Sequence, residues 1–191
     1  MAADCRLPAD LTPESPYGEP MNSVDWARIP GPAGYEPARA RTAAEALTRA
    51  ASPEQAARAV ADLRYAVSND HRGSLYPAAV PAVSIFLPVI DTMPGSPREE
   101  AFVALLDWWG TFLAEPGFET YDDPLAGPVA ITDGIMRQVG DAVPMLRRIA
   151  EEKARQHRRA VMALVHGLDA GWTAPDLPQK RRSGPRRHDW P

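Results

Sequence analysis

Asp70, His71 and Tyr76 fall within seven residues of one another. A carboxylate, an imidazole and a phenol gathered around one turn are the groups that general acid-base catalysis needs. No nucleophile with an oxyanion-hole signature accompanies them. A structural explanation covers the same residues: Asp70 and His71 bond to backbone groups of their loop, and Tyr76 packs on the neighbouring helix. His157 and His166 are nine residues apart, so they do not share a helix face as metal ligands at i and i+4 would, and they read as surface histidines. Asp122 and Asp123, with Glu115 and Glu119 nearby, offer oxygens to a hard divalent cation. Their spacing is not that of an EF-hand, and Pro and Gly interrupt the run, so a solvated acidic loop is expected. Neither standard glycine-rich phosphate loop occurs. No cofactor and no metal are expected.

The elements that must position these residues read as helices. After Pro37 the run Ala38 to Ala50 is rich in strong helix formers, with Ala43, Ala46, Leu47 and Ala50 on one stripe. Ser52-Pro53-Glu54-Gln55 supplies an N-cap, a proline at the first helical position and a glutamine able to close a capping box, which starts a helix running to about Val67. Residues 68 to 74 form a tight polar connector. A third helix is expected from Pro81 through Ile90, with Pro88 kinking it or ending its regular ladder. Ser96-Pro97-Arg98-Glu99 repeats the start signal and opens a fourth helix to about Ala114. Phe102, Leu105, Leu106, Trp109, Phe112 and Leu113 would make its buried stripe. Trp108, about 100° away on the helix wheel, would then lie on the flank, packed on a following helix pair or anchoring an interface. Residues 115 to 128 read as a loop. Ala130 to Val139 and Asp141 to about His166 complete the helical part, with Asp141 as an N-cap.

The chain has 191 residues, 21 of them proline, and a net charge of −4. That proline content is about twice the usual share, and it argues against a sheet-rich core. The single Cys5 excludes an internal disulfide, and no Cys/His cluster has zinc spacing. With no basic and apolar leader at the N-terminus, a reducing, cytoplasmic location is expected. Gly73 to Ile90 runs for 18 residues without a charge, but Pro77, Pro81 and Pro88 interrupt it, so it reads as a buried core segment and not a membrane span. Seven prolines crowd residues 1 to 37. Residues 1 to 21 are expected to be a disordered Pro-rich terminus, and the arm beyond it is expected to drape on the helices through Val24, Trp26, Ile29 and Tyr35. Asp176 to Pro191 balance at +3, leaving −7 for residues 1 to 175. Residues 173 to 191 are expected to be a disordered basic tail, dispensable for folding.

The phrase His71-Arg72-Gly73-Ser74-Leu75-Tyr76-Pro77-Ala78-Ala79-Val80-Pro81-Ala82-Val83 resembles one in a group of bacterial, actinobacterial-type HEAT-repeat-like proteins. There a His-x-Gly-Thr-x-Tyr-x-Ala motif precedes Pro-Ala-Val and a hydrophobic helix. Ala61-Asp62-Leu63 and Ala104-Leu105-Leu106 look like their counterparts in that group. Ser74 stands where Thr is usual and Ser84 where Pro is frequent. The resemblance implies an α-solenoid binding module, and some members of the group look like immunity proteins of secreted toxin systems. The two Ser-Pro starts are 44 residues apart, inside the roughly 40 to 47 residue period of helix-pair repeats.

The expected fold is all-α over residues 22 to 172: a short HEAT-like α-solenoid, or right-handed stack of antiparallel helix pairs, with an extended Pro-rich N-terminal arm. The expected function is a non-catalytic scaffold that binds one protein partner, in its immunity form a toxin. Trp108, His71, Tyr76, Asp122 and Asp123 are the candidate contacts. The other class is a HEAT-like nucleic-acid binder, or a glycosylase-like enzyme using Asp70, His71 and Tyr76. Such proteins need a basic groove, and a −7 body argues against one.

Overall fold

Pro37 and Pro53 sit at the starts of two helices because their missing N–H groups fall where an α-helix has no partner for them. These are α1 (Pro37–Thr48) and α2 (Pro53–Val67). Ser52 caps α2, its side chain accepting from the Gln55 N–H at 3.3 Å, while the Gln55 side chain reaches back to the Ala51 N–H at 2.8 Å. The computed structural model describes residues 24–152 and 155–172. Expectations for the Pro-rich terminus and the basic tail lie outside those residues. The later helices are α3 (Ala79–Thr92), α4 (Ser96–Trp108), α5 (Ile131–Asp141), α6 (Val143–Glu151) and α7 (Arg155–Ala170).

Two small sheets join them. β1 (Ser68–Asn69) pairs antiparallel with β2 (Ser74–Leu75), which pairs in parallel with β3 (Leu113–Ala114). β4 (Thr120–Asp123) and β5 (Gly127–Ala130) form a separate antiparallel hairpin. The expectation of an all-α chain holds in its coarse form: the described residues are mostly helical, with two small sheets. The stretch read as a loop before Pro128 contains the hairpin, and the connector after Val67 contains β1 and β2.

α3 is apolar nearly all round and supplies ten buried residues, Phe86, Leu87 and Ile90 among them. It packs on α4, α5 and α6, while α4 packs on α2, α3 and α7. Pro88 does not end α3, which continues to Thr92. Among the described residues no helix is long and apolar enough to cross a membrane. The arm before α1 is pinned by buried Trp26 and Tyr35, the Tyr35 hydroxyl donating to the Trp26 carbonyl at 3.0 Å.

Several helix boundaries differ from the sequence expectation: α3 begins at Ala79 and not at Pro81, and the run expected as one helix from Asp141 is divided into α6 and α7. Gly95, at φ 85° and ψ −144°, is the N-cap of α4, and Ser96 lies inside the helix; only glycine adopts that backbone freely. α4 stops at Trp108 and not near Ala114, so Trp109, Phe112 and Leu113 are not on it. Asp141 is the last residue of α5, and Ala142 caps both α5 and α6.

Candidate functional site

α2 delivers Asp70 to its position by ending three residues before it, at Val67. The Asp70 carboxylate accepts from Arg64 Nη2 at 2.7 Å and from the Ser68 hydroxyl at 3.2 Å, and Arg64 also reaches Asp107 of α4 at 2.9 Å. Asp70 is thus one of two carboxylates sharing a guanidinium between α2 and α4. Tyr76 faces another way. Its N–H extends the β1–β2 ladder to the Val67 carbonyl at 3.0 Å, and its ring meets Tyr35 edge-on at 6.0 Å. Burial, reinforced by the nearby Glu115 charge, raises the Tyr76 pKa above the ordinary tyrosine value, so the phenol stays protonated.

His71 is exposed on the turn, and its ring makes no hydrogen bond or ion pair with a described residue. The expectation that it bonds to the turn backbone is corrected. Arg72 and Ser74 anchor the turn instead, through the Glu115 carboxylate. Arg72 Nη1 donates to Glu115 Oε1 at 3.0 Å, the Ser74 hydroxyl donates to Glu115 Oε2, and the Glu115 N–H continues β3 by donating to the Leu75 carbonyl at 2.9 Å. Asp70, His71 and Tyr76 are neighbours in sequence with three separate environments, and no two of them bond.

Trp108 is fully buried, at 0% exposure, with its ring 5.6 Å from that of Phe86. As a candidate partner contact it is corrected, because a side chain without exposed area cannot meet a partner on the folded surface. Tyr76, at 5% exposure, is corrected on the same ground. Trp109 is only half-buried; it packs on Trp172 at 5.0 Å and against Gly167, where an added Cβ would lie 2.4 Å from the indole nitrogen. His157 is buried and not on the surface, its ring stacked on Phe102 at 6.0 Å.

The two aspartates of the hairpin differ. Asp123 Oδ1 accepts the N–H groups of Leu125 at 2.9 Å and Ala126 at 3.0 Å, while Oδ2 pairs with Arg137 of α5. The Leu125 N–H, with smaller contributions from Ala126 and Arg137, holds the carboxyl below its usual range. Gly127, at φ 73°, closes the three-residue connection, a position that glycine fills without steric cost. Asp122 projects outward and is exposed. At the tip stands Leu125, 99% exposed. Sequence reading missed it, because a lone leucine between Pro124 and Ala126 carries no periodic signal. Among the described residues no group of three or more His, Cys, Asp or Glu is placed to hold a metal ion. Comparison with protein-family models, curated proteins and solved structures finds no match to this chain.

Proposed function

We propose that this protein is a non-catalytic protein-binding scaffold, and that the β4–β5 hairpin is the element it presents. The observation that carries the reading is Leu125: a large apolar side chain almost wholly in water, at the tip of a turn braced by Asp123 and Arg137. An apolar residue held in place before binding loses little conformational freedom when a partner covers it, which is how a short anchor gains affinity. The dispersal of Asp70, His71 and Tyr76 into separate environments supports the same reading. The packing of α4 on both α2 and α7, and of α3 on α5, is compatible with a HEAT-like stack of helix pairs. In its most specific form the partner is a toxin neutralised by capture in the cytoplasm, the role suggested by the resemblance of residues 71 to 83.

The test compares the immobilised chain with its Leu125→Asp variant for capture of partners from a lysate of the producing cell. Leu125 makes no core contact, so the variant should melt with the wild type and lose at least tenfold of the captured partner. Equal capture by both would remove the hairpin from the function.

A further inference from the structure

We propose that the outer edge of β4 receives an extended, basic segment of a partner protein as a third strand. This rests on the reading of the hairpin as a docking element and names what it docks.

The hydrogen-bond register decides which backbone groups are free. The Ile131 N–H donates to the Glu119 carbonyl at 3.0 Å, in line with the pairs Thr120 with Ala130, Tyr121 with Val129, Asp122 with Pro128 and Asp123 with Gly127. In an antiparallel ladder, bonded and non-bonded pairs alternate. Glu119, Tyr121 and Asp123 therefore turn their N–H and C=O groups toward β5, while Thr120 and Asp122 turn theirs away. No described residue takes those four outward groups. The opposite edge is different. Its outward residues are Pro128 and Ala130, and Pro128 has no N–H to give, a substitution that blunts strand addition. The hairpin is open on one side only.

Charge selects the occupant. From Glu115 to Asp133 the sequence carries five carboxylates and no Lys or Arg. Glu115 is neutralised by Arg72, and Asp123 by Arg137. Glu119 and Asp122 remain exposed, one on each side of Thr120 along the open edge, and no described cation pairs with either. Glu119 accepts the Gly117 N–H at 2.7 Å, which leaves its charge uncompensated. A strand laid along β4 places alternate side chains opposite Thr120 and Asp122, on the face that Asp122 occupies, and the intervening ones on the face of Glu119, so arginine or lysine opposite Asp122 meets uncompensated charge. An acidic segment or a nucleic-acid backbone would be repelled by the same groups. Main-chain bonds supply affinity and the alternate basic side chains specificity.

The test uses the full-length chain and a fluorescein-labelled peptide of four Arg-Val repeats, read by anisotropy at physiological salt. The wild type is expected to bind it, and the Glu119→Gln/Asp122→Asn double variant at least tenfold more weakly. An arginine opposite Asp122 donates its backbone N–H to the Asp122 carbonyl. Methylating the arginine backbone nitrogens should therefore abolish binding, whereas methylating those of the valines should leave it within about twofold. Failure of the plain peptide to bind overturns the proposal. Equal binding by both methylated peptides also overturns it, since attraction would then be charge alone. A variant with Lys180, Arg181, Arg182, Arg186 and Arg187 all changed to Gln tests the chain's own basic segment as occupant; a tenfold rise in peptide affinity would assign the edge to that segment and overturn the partner. Leu125→Asp adds a carboxylate near the open edge and should not weaken peptide binding. Lost capture with intact peptide binding, or the reverse, therefore separates the fate of this proposal from that of the scaffold reading.

Discussion

Tyr35 joins the arm to the helices through one hydroxyl in apolar surroundings. Burial pushes its pKa from 10.0 up to about 12. A folded-state value above the unfolded one means that the contribution is complete below about pH 10 and disappears as pH rises toward 12. The denaturation midpoint of the wild type should accordingly fall more steeply from pH 9 to 12 than that of Tyr35→Phe. At neutral pH that variant should be less stable by about 1 kcal/mol for the lost bond to the Trp26 carbonyl. Trp108→Ala should cost about 3–5 kcal/mol in chemical denaturation, the usual range for emptying a buried aromatic site. The sequence misjudged which tryptophan is interior for a definite reason. Arg98, Ala101, Phe102, Leu105 and Trp108, with the smaller Pro97 and Ala104 beside them, are the interior positions of α4, a regular helical stripe. Counting Phe112 and Leu113 as helical turned the apparent stripe toward Trp109.

At the scale of elements, the clearest sequence signals were those with a local mechanism. The Ser52 cap and Pro53 start of α2 are of this kind, because hydrogen bonds within four residues specify them. Ser52→Ala should lower stability by about 1 kcal/mol, the usual cost of losing such a cap. The hairpin had no comparable signal. Thr120-Tyr121-Asp122-Asp123 has too few apolar residues to show alternation, and Asp, Pro and Gly are poor strand formers. β1, β2 and β3 are two residues each, too short for a period of two to register. What specifies the hairpin is its turn, through Asp123 and Gly127. Because the Asp123 pKa is lowered, its contribution is present above the unfolded value and disappears as pH falls through the folded one. The amide resonances of Leu125 and Ala126 should therefore shift together below about pH 4, the usual aspartate range. Asp123→Ala should show the acid-like shifts at neutral pH, with far-ultraviolet helicity unchanged.

For the whole molecule, the question is what ties α5 to α7 to the helices before them. α3 packs on α5 and α4 on α7, and one polar junction crosses the same boundary. Arg98, 3% exposed on α4, donates through Nη1 to Glu152 at 2.6 Å and through Nη2 to the Asp91 carbonyl at the end of α3 at 3.1 Å. Arg148 of α6 pairs with the Asp91 carboxylate beside it. No motif announces this junction, because Arg98 and Glu152 are 54 residues apart and each looks like an ordinary surface charge. The partners differ in burial, and that difference sets the prediction. Arg98→Ala leaves a cavity together with an unmatched Asp91 carbonyl, and should destabilise by about 2–5 kcal/mol through the emptied volume and the lost hydrogen bonds. Glu152→Gln keeps a hydrogen-bond acceptor but leaves the Arg98 side chain, 4% exposed, without its counter-ion, and should cost about 1–3 kcal/mol although the Glu152 side chain is itself 41% exposed. Arg98→Met, which keeps the aliphatic stem and removes the charge, should fall between them. If Arg98→Met matched the wild type in urea denaturation, packing alone would hold the two parts together and the guanidinium would add nothing to their union.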